Sequence, residues 1–194
     1  MDAGFPDLNP PDAWLQAIRA RRYALQAGLL DTAIGMLRAN LEAKGLWDGA
    51  VVIVTADHGI NLESGTYVRE PPSNGDTLDE LYRVPLFIKS PGQKAGTVSD
   101  VPASTMDILP TLLGILGAKR PDGLLGVDLA GSVPADRART VWVRGKGLPF
   151  PSSEDGLTRT IGIYDGWFPA AKDGWERILD AGPYGRLVGT AVPA

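Results

Sequence analysis

The chain contains no cysteine and a single histidine, His58, in 194 residues. Without thiols there is no disulfide framework, no cysteine-ligated zinc site and no thiol nucleophile. The redox compartment stays open, because a cysteine-free chain is stable in either. Long apolar runs are missing too: none approaches the ~18 residues that a membrane span needs. The opening Met1-Asp2-Ala3-Gly4-Phe5-Pro6-Asp7 has neither the basic nor the apolar part of a signal peptide. The expectation is a soluble chain with no export signal or transmembrane segment of its own. Positive charge is also scarce, with 19 Lys and Arg against 23 Asp and Glu and a net charge of -4. That balance argues against a nucleic-acid partner, which requires a basic face. The one basic cluster, Arg19 to Arg22, reads as the solvated side of a helix.

What is present suits an ordinary globular domain, 44% apolar and 22% charged, with room for one sizeable core. Apolar residues recur at helical spacing from Ala13 to Lys44, with a drift near Gly28 that suggests a break or kink. Gly45 is a natural stop. Val51 to Ala56 is a short strand, apolar on both faces as a central parallel strand would be. A polar loop from Ile60 to Leu81 precedes a second strand, Val84 to Lys89. Ser104-Thr105-Met106-Asp107 has the form of a capping box opening a helix to Leu116, with Ile108, Leu109, Leu112, Leu113 and Leu116 as its core face. Thr140 to Arg144 and Thr160 to Tyr164 are strand candidates, with a loop from Gly145 to Gly156 between them.

The chemistry concentrates in Asp57-His58-Gly59, placed where the first strand ends. In open α/β sheets ligands gather at the carboxyl ends of strands. A carboxylate beside an imidazole offers one hard and one borderline metal donor. Taken alone, a histidine at a strand end is more often a hydrogen-bonded loop residue, and an Asp there can cap a turn. The acidic residues Glu63, Glu70, Asp76, Asp79 and Glu80 read as a solvated loop. Arg83 is expected to brace its strand, and Lys89 to be exposed.

In order and spacing, several segments together resemble the sulfatase-like hydrolases of the alkaline phosphatase superfamily, in the C-terminal half of the catalytic domain. They are Asp31 to Gly35, Gly45 to Asp48, Val51 to Gly59, Leu81 to Lys89 with Pro91-Gly92, Ser104 to Leu113 and Gly126 to Leu129. The resemblance implies an α/β fold: a partial three-layer sandwich, its mostly parallel sheet flanked by helices, with a small antiparallel C-terminal appendage. Residues 1–135 would be the catalytic half-domain and 136–194 a small subdomain. Asp57 and His58 would be ligands of a divalent metal (calcium, magnesium, manganese or zinc). The substrate would be a sulfate or phosphate ester. The family's nucleophile lies upstream of the segments matched here, and nothing before Tyr23 resembles it, so no catalytic residue is assigned. Where sulfatases carry a Gly-Lys before the Arg-Val-Pro strand, this chain has Asn74-Gly75-Asp76, which leans towards a phosphoester relative or a diverged member. The implied partner is a missing N-terminal half or a second chain, and related enzymes are often membrane-tethered outside the cytoplasm. The competing expectation is a non-catalytic interaction domain that keeps this scaffold.

Overall fold

The structure is a computed structural model that describes residues 13–61, 69, 78–143 and 146–150. The chain divides into two compact units. One comprises Met1–Gly35, Ile60–Leu81 and Glu154–Ala194, the other Met36–Gly59 and Tyr82–Ser153. The elements run α1 (Ala13–Ala43), β1 (Val52–Thr55), α2 (Leu78–Tyr82), β2 (Leu86–Lys89), a 3-10 turn (Thr105–Asp107), α3 (Ile108–Ile115), β3 (Thr140–Val143) and β4 (Lys146–Pro149). The fold therefore mixes helix and sheet. None of the described helices is long and apolar enough to cross a membrane. The strand expected at Thr160 to Tyr164 and most of the Ile60 to Leu81 loop lie outside the described residues, although α2 occupies that loop's end.

α1 is one helix of 31 residues that passes Gly28 without a break. Its end is built as the sequence implies. Gly45 takes a positive φ of 66°. The amide of Leu46 donates to the Leu41 carbonyl at 2.8 Å and that of Gly45 to Glu42 at 2.9 Å, which is the Schellman pattern. α3 closes the same way around Gly117, with Ala118 donating to Leu113 and Gly117 to Gly114.

The strand at Val52 follows from its β-branched run. It pairs antiparallel with β2, Val52 opposite Lys89 and Thr55 opposite Leu86. Both sheets among the described residues are two-stranded and antiparallel, so the parallel neighbours expected of β1 are not among them. Pro85, which has no amide hydrogen, lies just before the ladder's end. Lys89 is half-buried rather than exposed. Its ammonium donates to the carbonyls of Trp47 at 2.6 Å and Ala50 at 2.9 Å and lies 5.1 Å from the Trp47 ring. Arg38 faces the same ring at 5.2 Å, which places the indole between two cations.

β3 and β4 form a hairpin, where β4 replaces part of the loop expected after Gly145. Gly147 sits opposite Trp142, and a Cβ there would already touch the indole at 3.7 Å, so the ring covers what the glycine leaves open.

α3 differs from expectation in which face it hides. The Ser104 capping box forms as the spacing implies. Yet the buried side chains are Asp107, Pro110 and Thr111, while Leu109 and Leu116 are exposed. The reason is the Asp107 carboxylate. It accepts from the Ser104 amide at 2.7 Å, the Val127 amide at 2.8 Å, and both terminal nitrogens of Arg137 at 2.6 and 2.9 Å. Thr111 donates to the Asp107 carbonyl and accepts from the Leu129 amide. Burying a carboxylate requires these partners to be satisfied, and they outrank the leucine stripe in orienting the helix. Gly126, at φ 90°, passes so close that a Cβ would run into the Met106 carbonyl. Of the described apolar side chains, Ala20, Leu81 and Pro110 are buried; Leu29, Leu30, Met36, Leu37 and Phe87 are exposed.

Burial works to raise the Asp107 pKa, but Arg137 and the two amides outweigh it and hold the carboxyl below its ordinary value. A depressed carboxylate stabilises the fold above its unfolded pKa, about 4, and that stability fades as pH falls below it. Asp107→Asn should therefore cost about 3 kcal/mol at pH 7 and flatten the acid limb of the stability profile, read by urea unfolding from pH 7 to 3. Gly126→Ala should cost roughly 1–3 kcal/mol by the same measurement, with no acid-limb change.

Candidate metal-donor pair and cleft

Antiparallel pairing brings the end of β1 beside the start of β2, so Asp57-His58 and the segment Arg83 to Pro85 leave the ladder together. The backbone amide of His58 donates to Asp57 Oδ1 at 2.9 Å, an Asx-type contact that holds the carboxylate against the turn. His58 Nδ1 lies 2.6 Å from the carbonyl oxygen of Gly59. A carbonyl can only accept, so Nδ1 carries the proton and, in the neutral ring, Nε2 keeps its lone pair. Nε2 lies 3.7 Å from Asp57 Oδ2.

Two acceptors at this separation repel unless a proton or a cation lies between them. The donor set, one imidazole nitrogen and one carboxylate oxygen, fits a divalent cation. A backbone carbonyl on the far nitrogen is the usual device for fixing a metal-binding histidine. The Asp57 side chain is 88% exposed and the His58 ring 38% exposed, so a cation could reach both. Among the described residues no group of three or more such donors converges.

Asp57 also opens onto a cleft of about 1020 Å³ within the same unit. Its wall carries Arg83, Ser104, Arg137, Arg139 and Phe150. Arg83 stacks over Phe150 at 5.5 Å, in keeping with a bracing role, yet it lines the cleft as well. Arg137 is engaged with Asp107, which also raises the Arg137 pKa. The cleft's cationic wall was not evident from sequence reasoning. The available signal was Arg137-Ala138-Arg139, two guanidinium groups two residues apart outside any helix. The acidic residues Glu63, Glu70 and Asp76 lie outside the described residues.

The arrangement sets two possible cation donors at one end of a cleft whose wall carries arginines. The Sulfatase family model matches residues 11–118, and the chain belongs to that family. Over 127 residues it is 35% identical to an ulvan-active sulfatase of Formosa agariphila, covering 64% of this chain and 24% of that protein. It is 32% identical over 102 residues to a multifunctional alkaline phosphatase superfamily protein of Trinickia caryophylli, covering 52% and 19%. It is 28% identical over 159 residues to an endo-4-O-sulfatase of Bacteroides thetaiotaomicron, covering 81% and 30%. The chain thus spans a third or less of the length of these relatives.

The tautomer can be tested cleanly because there is one histidine. Long-range ¹H–¹⁵N correlation spectra of the neutral ring should show protonated Nδ1 and bare Nε2; the reverse pattern would remove His58 Nε2 as a donor.

Proposed function

We propose that this chain supplies a metal-binding pair and one wall of a sulfatase-type ester hydrolase site. Asp57 Oδ2 and His58 Nε2 are two ligands of a divalent cation, whether calcium, magnesium, manganese or zinc. The observation that carries the reading is the 3.7 Å approach of two acceptors, with the ring's proton held on the opposite nitrogen by Gly59. When bound, the cation polarises the ester and neutralises charge that grows on its oxygens during transfer.

The chain's own groups have defined tasks. The Gly59 carbonyl keeps the proton on Nδ1 and fixes the ring plane. The His58 amide holds one Asp57 oxygen against the turn. The Asp107 network keeps the arginine-bearing wall in place. The nucleophile and the remaining ligands come from outside the described residues, in a missing N-terminal half or a partner chain. In the complete protein β1 belongs to a three-layer α/β sandwich with a mostly parallel sheet, and β3–β4 opens a small C-terminal subdomain. The exposed apolar residues of α1, β2 and α3 support that placement, since further layers would cover them.

A thermal melt of the full chain, with and without manganese, zinc or calcium, tests the claim. At a hundredfold excess over the dissociation constant a real site stabilises by ~2.7 kcal/mol, and Asp57→Ala should abolish the shift. An equal shift in Asp57→Ala, or none in the parent, sinks the claim that this chain alone holds metal and favours the non-catalytic interaction domain for the chain by itself.

A further inference from the structure

The cleft has a cationic feature that the metal pair does not use. Its charged lining consists of Asp57, Arg83, Arg137 and Arg139. Arg137 is neutralised by the buried Asp107. Arg139 is half-buried, and its guanidinium makes no hydrogen bond or ion pair among the described residues. Only its backbone is engaged, the carbonyl accepting from the Phe150 amide at 2.8 Å. The Phe150 ring in turn carries the Arg83 guanidinium. Phe150 therefore ties together two arginine-bearing segments on one wall.

We propose that Arg139, with Arg83 nearby, forms an oxyanion subsite that holds a second sulfate or carboxylate of an anionic saccharide ester. A guanidinium that is partly desolvated and unpaired gains most from an arriving anion. Its planar fork matches sulfate and carboxylate with two parallel hydrogen bonds. Asp57 carries negative charge and Arg139 positive charge, so the two ends of the cleft have different requirements. The ester group belongs at the metal pair, and a further negative group of the same molecule belongs at Arg139. This rests on the function proposed above only for the word ester, because anion binding at Arg139 needs no metal.

The test is a titration of the isotope-labelled full chain with inorganic sulfate in EDTA, followed through arginine Nε–H signals. Dextran sulfate serves as the polyanionic saccharide probe and neutral dextran as its control. Arg139→Gln should weaken binding of both sulfate probes about tenfold, the size of one charge-assisted hydrogen bond. Asp57→Asn should bind sulfate as well as the parent or better. Lys119→Gln, an exposed cation outside the cleft lining, should leave affinity unchanged. Parent-like affinity in Arg139→Gln, or an equal loss in Lys119→Gln, overturns the subsite. Circular dichroism checks that helix content is kept. If Arg139→Gln loses it, Arg139→Lys decides, since it keeps the charge without the fork: about threefold weaker binding supports the subsite and parent affinity overturns it. With EDTA present, a failure of the metal reading leaves this result untouched, and a failure here leaves the metal-dependent melt untouched.

Discussion

The organisation of the second unit depends on one buried carboxylate. Asp107 gathers four donors from three separate stretches of chain: the start of its own helix, the turn at Val127 and the guanidinium of Arg137. A buried charge can be held only by partners of this quality. Once they are in place they dictate which side of α3 faces inward, how closely Gly126 must approach, and where the wall leading to Arg139 and β3 begins. Leu109 and Leu116 are left exposed as a result, and Leu112 and Leu113 half-buried.

Much of this was legible from residue type. Gly45 and Gly117 mark helix ends because only the left-handed backbone lets the last carbonyls find donors. Ser104 and Asp107 announce a cap by their spacing. The β-branched run at Val51 announces a strand, and its Asp57-His58 ending announces a donor pair. Less legible was the direction of the strand partner. Val52–Thr55 is apolar on both faces, which suits a parallel neighbour, yet its partner among the described residues is antiparallel β2. The pattern records what a strand can bury, and it is silent on which segment does the burying.

The arginine wall was harder to foresee for a different reason. Arg83, Arg137 and Arg139 converge through tertiary packing over long separations, and nothing local distinguishes the one that braces from the one that is unpaired. Only the partners reveal it: Phe150 beneath Arg83, Asp107 against Arg137, and neither ion pair nor hydrogen bond on the Arg139 guanidinium among the described residues. Similarly, Lys89 looks like a surface residue by type, but its long stem lets the ammonium reach the carbonyls of Trp47 and Ala50.

The antiparallel ladder has a consequence for how such a site can diversify. Because Thr55 lies opposite Leu86, the whole excursion from Ala56 to Pro85 hangs from two neighbouring points. The entropy of closing such a loop rises only with the logarithm of its length, about 0.6 kcal/mol for each doubling. Lengthening or shortening that connection therefore costs little, while the register of the ladder, set by the pairs from Val52–Lys89 to Thr55–Leu86, does not depend on its length.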